Sequence, residues 1–418
     1  MGVGGMVGGG IFSVLGLSVG LAGHAAPIAF ALGGIIVLLT GWSYARLGLA
    51  FRSDGGSFTY LEHAFRHPNI AALGGWLLLT GYIGTLALYA YTFGVYGSVM
   101  LGDAGHGSPM QHLLESGVLL TFLGVNLYGV KAAGHTEDVI VLIKVLILSL
   151  FAAAGLFYVK PDHLLPVFNQ GVPGVLMGAA LIFVAYEGFE LIPNAVNEME
   201  DPERNLPRAI MLSILITIAI YILVSLVAVG NLLPAEIVKY KEYALAVAAK
   251  PFLGHAGFVL IGLGALLSTA SAINATLFGT ARLGKVMAQD QALPHAFSIR
   301  ERTRDIPWVS LCIISGVTLV FVNLGDLTII SSFASSTFLL IFASINFTAF
   351  RLRKKIGISP TAPLAGLLLC LVSWLVLCGY LWNHDHTSLL WIAIFYIGIA
   401  LLEFLFSQRR LFHPQERP

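Results

Sequence analysis

Charge is scarce in this chain, since only 11% of its 418 residues are Asp, Glu, Lys or Arg. Soluble domains carry about a quarter of such residues, so a soluble globular domain is excluded. A mean hydropathy of +0.84 with 57% hydrophobic residues indicates an integral membrane protein. The net charge of +1 excludes a generally basic nucleic-acid binder, and the expected surroundings are the lipid bilayer.

Cysteine and metal-ligand clusters are also scarce. The three cysteines cannot form a closed set of disulfides, and all three lie in apolar stretches where they are expected to pack. The densest group of metal-ligating residue types, His384, Asp385 and His386, falls in a predicted surface loop. Neither a metal site nor a cofactor is therefore expected.

Long apolar stretches recur along the chain, each near or above the roughly 18 to 20 residues that span a bilayer as a helix. They predict an all-α integral membrane protein with about twelve transmembrane helices, at 1–22, 27–51, 70–101, 116–134, 136–158, 172–192, 209–231, 256–281, 307–323, 327–350, 362–382 and 387–406. Residues 1–22 lack the charged leader and small-residue cleavage pattern of a signal peptide, so they are interpreted as the first span.

The positive charges sort by side of the membrane. With alternate loops assigned to opposite faces, 18 Lys and Arg residues fall on one face and four on the other, and Lys144 lies within a span. The positive-inside rule then places both termini in the cytoplasm. The predicted location is the cytoplasmic membrane of the cell, crossed in multiple passes.

Glycine is concentrated where a helix is needed, because six of the first ten residues, MGVGGMVGGG, are glycine. Glycine costs roughly 1 kcal/mol relative to alanine inside a helix, so an interruption is predicted there. The sixth span contains a second one, where Gly188 stands between Glu187 and Glu190 and Pro193 follows. Interrupted helices at matching places in two halves of a chain indicate a substrate site near the midplane of an inverted-repeat transporter.

Each of these features also has a plainer interpretation. Gly8, Gly9 and Gly10 can simply allow close helix packing, as small residues do in membranes. Glu187 and Glu190 can be carboxylates satisfied inside the protein without a direct part in function, although they would be costly if they faced lipid. The coincidence of two breaks favours the transport interpretation.

Five ordered motifs carry a family resemblance that covers essentially the whole chain. GMVGGGIF at 5–12 and FVAYEGFELIPNAVNEMEDPERNLPRAI at 183–210 resemble the first-helix and sixth-helix signatures of the amino acid, polyamine and organocation permease superfamily. The others are SDGGSFTYLEHAF at 53–65, NLYGVKAAG at 126–134 and ALLSTASAINATLFGTARLGKVMAQDQALP at 265–294. Within that superfamily the chain is most similar to the prokaryotic proton-coupled amino acid permeases of broad specificity.

The resemblance implies a leucine-transporter-like fold in which helices one and six are unwound at mid-membrane. Two five-helix inverted repeats, at 1–158 and 159–350, would be followed by a C-terminal helix pair and cytoplasmic tail at 351–418. The substrate carboxylate would meet backbone amides of Gly9 and Gly10, with Gly8 forming the turn. The α-ammonium group would meet backbone carbonyls of helix six, at Val184, Ala185 and Glu187. Relatives usually carry a longer segment before these glycines, so Met1 is expected to be a mis-assigned start or a truncation.

Side-chain selectivity is expected from residues around the same cavity. Tyr186 and Phe189 flank Gly188 and are candidate gates at the helix-six break, together with Glu190. Phe189 can also be interpreted as lipid-facing. Further candidate lining residues are Tyr82 in helix three and Ser335 or Ser336 in helix ten.

Lys144 is the only basic residue deep in a span, nine residues beyond His135, which corresponds to roughly 13 Å along a helix. Burial disfavours the charged form of an amine, so such a lysine can exchange a proton. The resemblance implies that Lys144 takes the place of the sodium ion of sodium-coupled relatives, beside the hydroxyl of Ser268 or Thr269. The alternative is a structural lysine with a permanent partner.

The predicted function is secondary active transport of amino acids by alternating access, coupled to protons. An exchanger of amino acids or polyamines without net ion coupling, and a channel or sensor of the same fold, stay open as alternatives. An enzyme is not expected, because no paired catalytic groups or nucleotide motif are found at a membrane interface.

Overall fold

A computed structural model describes residues 2–53, 55–65, 68–103, 107–129, 134–299, 301 and 306–412. Met1 and the end of the fourth predicted span, 130–133, lie outside these residues. Within them the chain is helical and no strand occurs. The helices are α1 (Gly2–Met6), α2 (Gly10–Ala22), α3 (Ala26–Ala50), α4 (Gly56–Ala64), α5 (Pro68–Met100), α6 (Pro109–Tyr128), α7 (Gly134–Leu156), α8 (Gly171–Leu181), α9 (Pro202–Asn231), α10 (Pro234–Lys239), α11 (Ala244–Gln289), α12 (Trp308–Leu324), α13 (Leu327–Ile356), α14 (Thr361–His384) and α15 (His386–Phe412).

Short 3-10 segments join several of these helices. They are Gly23–Ala25, Pro161–Leu164, Ile182–Tyr186, Phe189–Glu198, Lys241–Tyr243 and His295–Ser298. The third and fourth of them replace the second half of the predicted sixth span.

In the described part of the chain, nine helical stretches are long and apolar enough to cross a membrane. One of them, Gly10–Ala50, contains two predicted spans, and the shorter apolar helix α12 supplies another. With α6, every predicted span overlaps an α-helix. The predicted all-helical, multi-span membrane fold is confirmed.

The predicted fourth span, 116–134, is displaced from the helix in the structure. The helix α6 begins at Pro109 and ends at Tyr128, and the next residue, Gly129, adopts a left-handed conformation (φ 77°) that favours glycine. The prediction starts this span after Glu115, because a charged residue is expected to lie outside a membrane span. In the structure Glu115 lies inside the helix and accepts a hydrogen bond of 2.7 Å from Gln111 Nε2.

Both predicted interruptions are present. The first break, residues 7–9, separates α1 from α2. The second break, residues 187–188, separates two 3-10 segments: Glu187 is extended (ψ 148°) and Gly188 has a φ of 119° that favours glycine. The unwinding of helices one and six is therefore confirmed.

The two breaks meet backbone to backbone and run antiparallel. A Cβ added to Gly188 would lie 2.6 Å from the carbonyl carbon of Gly5, and one added to Gly10 would lie 2.5 Å from Ala185 Cα. Residue numbers thus rise along one segment while they fall along the other. Only glycine permits this approach, so these glycines serve close packing as well as the break.

The C-terminal helices α14 and α15 lie at the periphery. Their apolar windows are 22% and 17% buried, whereas the window that contains the second break is 89% buried. Both helices pack against α13. The region around the two breaks is therefore built by the preceding helices.

Candidate functional site

Side chains from α7, α9 and α11 hold the carbonyl groups around the first break. Lys144 Nζ donates to the Gly4 carbonyl (2.6 Å), Tyr221 Oη to the Met6 carbonyl (2.6 Å), and Ser268 Oγ to the Val7 and Gly8 carbonyls (2.7 Å each). Among the described residues, no acceptor is found for the amides of Gly8 and Gly9. The N-terminus of α2 therefore presents unpaired donors, which favour an anionic group.

Glu190 is satisfied within the protein. Its Oε2 accepts a hydrogen bond from the amide of Gly188 (2.8 Å), and its Oε1 accepts one from the Tyr82 hydroxyl (3.3 Å). The carboxylate thus holds the backbone of the second break. This contact agrees with the plainer interpretation of Glu190 as an interior carboxylate.

Glu187 is satisfied only in part. The Tyr89 hydroxyl donates to its Oε2 (3.0 Å), whereas its Oε1 is buried and accepts no hydrogen bond from the described residues. The whole residue is 2% exposed. The ring of Tyr89 also lies against the first break, because a Cβ on Gly9 would lie 2.5 Å from Tyr89 Cδ1.

A small cavity with an open mouth adjoins α1 and the second break. Its lining residues are Gly4, Gly5, Tyr89, Glu137, Glu187, Gly188, Leu191, Ser271, Ala272, Ala275 and Thr276. The lining lies toward the α1 side of the breaks, since it includes Glu137 near the start of α7 and the α11 residues that follow Ser268.

Two of the three carbonyls predicted to meet an ammonium group already have donors in this conformation. Val184 accepts a hydrogen bond from the amide of Glu187 (3.2 Å), and Ala185 accepts one from the Tyr221 hydroxyl (2.8 Å). Tyr221 therefore ties the second break to the first through a single hydroxyl group.

The two candidate aromatic gates lie away from the cavity. The Tyr186 hydroxyl donates to the Phe30 carbonyl (2.6 Å), and the Phe189 ring packs edge-on against Tyr44. The lipid-facing interpretation of Phe189 is wrong, because the residue is 0% exposed. Neighbouring aromatic rings take up its surface instead of lipid.

Of the two hydroxyl residues predicted beside Lys144, only Ser268 donates a hydrogen bond to the first break. The Thr269 hydroxyl donates to the Ala265 carbonyl of its own helix (2.8 Å). Lys144 is fully buried and donates to the same chain segment as Ser268. The two residues hold adjacent turns of that segment.

Helix ten likewise contributes one of its two candidates. The amide of Val184 donates to Ser335 Oγ (3.0 Å). Ser336 instead accepts a hydrogen bond from the Trp374 indole (3.0 Å), away from the second break.

Sequence reasoning missed Tyr89 and Tyr221, the two phenols that bridge the breaks. Both lie in long apolar spans, and a tyrosine there has no local pattern that distinguishes a bridging phenol from a packing ring. The one available signal was that a tyrosine in an apolar span must place its hydroxyl group, since a buried Tyr O–H usually finds a hydrogen-bond partner.

Antiparallel broken helices beside a small cavity are typical of a multi-span membrane transporter rather than an enzyme. The chain belongs to the amino acid permease family, whose sequence model matches residues 1–401. It is 32% identical to the inner membrane transport protein YbaT of Escherichia coli, over 97% of this chain and 93% of that protein. Identity is 28% both to a methylthioribose transporter (98% and 92%) and to the serine/threonine exchanger SteT (84% and 81%), each from Bacillus subtilis.

Proposed function

We propose that this protein is a secondary active transporter that moves amino acids across the cytoplasmic membrane by alternating access, coupled to protons. The proposal rests on one observation: the two breaks meet, and they offer different hydrogen-bonding groups. The first presents unpaired amides to a carboxylate, and the second presents acceptors to an ammonium group. We assign the carboxylate to the amides of Gly9 and Gly10 beside the turn at Gly8, and the ammonium group to the carbonyls of Val184, Ala185 and Glu187.

The choice of amino acids as substrates rests on the family and on the serine/threonine exchange named for one relative. Backbone groups recognise what all amino acids share, so side chains around the breaks would choose among them. The methylthioribose named for another relative is consistent with a site whose selectivity varies between members.

The antiparallel contact of the breaks supports the two inverted repeats, 1–158 and 159–350, with 351–418 as a peripheral addition. With both termini in the cytoplasm, as the charge distribution predicts, the cavity opens inward. Substrate binding then requires Tyr221 to release the Ala185 carbonyl. The segment of Tyr186, Gly188, Phe189 and Glu190 moves as the gate.

Proton coupling is assigned to Lys144, with Ser268 as its neighbour on the same segment and Thr269 behind it. A charged lysine holds the Gly4 carbonyl by a charge-assisted hydrogen bond, which is stronger than a neutral one. Loss of the proton weakens that bond and frees α1. Glu137, seven residues earlier on α7 and at the cavity wall, is the charged group that acts on Lys144.

Uptake into proteoliposomes tests both parts. We expect labelled amino acids to show saturable counterflow, and a pH gradient to drive net uptake. Lys144→Ala should retain substrate binding and lose the pH dependence, while Lys160→Ala, an exposed lysine, should change neither. Non-saturable flux would indicate a pore. Exchange that does not respond to pH would indicate an exchanger without ion coupling. Unchanged pH dependence in Lys144→Ala would refute the role of Lys144 in proton coupling.

A further inference from the structure

One carboxylate oxygen at the cavity wall has no partner. Glu187 Oε2 is held by Tyr89, but Oε1 is buried and accepts no hydrogen bond within the described residues. An unsatisfied buried carboxylate is costly, because it has lost its water and gained nothing in return. The arrangement is complete only when a donor reaches Oε1 through the cavity.

The surroundings of Glu187 call for a cation. The lining residues include two carboxylates, Glu137 and Glu187, and none of them is Lys, Arg or His. Glu190 adds a third carboxylate at the second break. The ion pairs recorded for the described residues involve neither Glu187 nor Glu190, and the buried Lys144 donates to a backbone carbonyl.

The α-amino group of a substrate does not meet this need. Under the proposed function, backbone carbonyls take the α-ammonium group and backbone amides take the α-carboxylate. An amino acid with a neutral side chain would then bring no donor to Oε1 and no positive charge to the neighbouring carboxyl groups of Glu187 and Glu190. A cationic side chain supplies both, because it donates to Oε1 and its charge favours the ionised form of Glu187, which makes the hydrogen bond charge-assisted.

We propose that Glu187 is a specificity residue whose side chain binds the ammonium or guanidinium group of a substrate side chain, so that this permease favours cationic amino acids. The proposal rests on the proposed function, since it takes the backbone site for granted. It adds a side-chain subsite to that site.

Lysine and norleucine are the matched probes, because both carry an unbranched four-carbon side chain and only lysine ends in an ammonium group. We expect lysine to protect the purified wild-type protein against thermal unfolding at about a tenfold lower concentration than norleucine, the gain of one charge-assisted hydrogen bond. Equal protection by the two ligands would overturn the proposal without any variant.

Uptake by variants locates the effect. Glu187→Gln should raise the KM for lysine about tenfold and leave that for norleucine within about twofold, because only the charge is removed. Glu187→Asp should keep the preference for lysine. Glu115→Gln removes another fully buried carboxylate, one that does not line the cavity, and should leave the ratio of the two KM values unchanged.

The outcomes separate this proposal from the function on which it rests. Transport of norleucine without preference for lysine, or an unchanged ratio in Glu187→Gln, refutes the role of Glu187 and leaves amino acid transport standing. Failure of the wild type to bind or move any of the twenty amino acids refutes the proposed function itself. Should Glu187→Gln fail to fold, the thermal protection of the wild-type protein by lysine and by norleucine still tests the proposal.

Discussion

The two breaks lie in segments that meet backbone to backbone, but different chemistry maintains each of them. Residues of the first are apolar, and donors from three other helices hold the carbonyls in and just before it: Lys144, Tyr221 and Ser268. The second carries its own carboxylates, and tyrosines donate to them. The first break therefore offers hydrogen-bond donors and the second offers acceptors. A zwitterion carries one group for each, a carboxylate for the donors and an ammonium group for the acceptors.

The residues that stabilise the two breaks also differ in how far away they lie along the sequence. Glu190 caps the Gly188 amide from two residues away, so part of the second break is stabilised locally. The first depends on α7, α9 and α11 together. Movement of α1 therefore changes contacts with three helices at once, whereas the local cap at Gly188 can persist while the segment moves.

Gly188→Ala attacks the backbone contact between the breaks and should have the largest effect. The new Cβ would lie 2.6 Å from the Gly5 carbonyl carbon and 2.8 Å from the Met6 amide nitrogen, at a φ of 119°. The backbone conformation alone costs about 1–3 kcal/mol for a non-glycine residue, and the clash forces the breaks apart. We expect uptake in proteoliposomes to fall at least about tenfold, with a lower temperature of unfolding.

Alanine substitutions at two other glycines should have smaller effects on uptake. A Cβ on Gly5 would lie 3.1 Å from Gly188 Cα, so Gly5→Ala should impair uptake less. Gly316 in α12 has no atom within 4 Å of such a Cβ, and Gly316→Ala should leave uptake intact with a slightly higher unfolding temperature. Equal losses in all three variants would show that the contact between the breaks is not what matters.

The difference between the breaks also explains what could be predicted from sequence. Glycines and Pro193 mark an interruption because their backbone effects are local, so both breaks and the membrane fold were predictable. The partners that hold them were not, because Tyr89 and Tyr221 reach the breaks only after helices distant in sequence have packed. Glu115 misled the placement of α6 for a different, local reason: the side chain of Gln111, four residues earlier on the same helix, satisfies it and makes a charge acceptable there.

Tyr221→Phe tests the link between the breaks and should have an intermediate effect. It leaves the Met6 and Ala185 carbonyls without their shared donor while the ring stays in place. Interhelical hydrogen bonds in membranes contribute roughly 0.6 kcal/mol on average and at most about 1.7. Because both carbonyls are buried, we expect a loss of about 1.5 kcal/mol in the free energy of unfolding in mixed micelles.

The effect of Tyr221→Phe on substrate affinity tests whether Tyr221 acts as a latch, a contact that must open before substrate binds, or only stabilises the fold. If Tyr221 must release Ala185 for substrate to bind, the variant should bind substrate more tightly although it is less stable. A weaker affinity that parallels the loss of stability would contradict the latch. Tyr158→Phe, on an exposed tyrosine, is the control that should change neither quantity.

The smallest expected effect separates two adjacent hydroxyl residues on α11. Ser268→Ala removes the donor to the Val7 and Gly8 carbonyls, whereas Thr269→Val removes a hydroxyl that bonds only to carbonyls of its own helix. Carbonyls inside a regular helix keep their backbone partners, but those of the first break have no such substitute. We therefore expect Ser268→Ala to lower the free energy of unfolding by about 0.6 kcal/mol more than Thr269→Val. An equal loss in the two variants would mean that the first break does not depend on Ser268, and that α7 and α9 alone support its carbonyls.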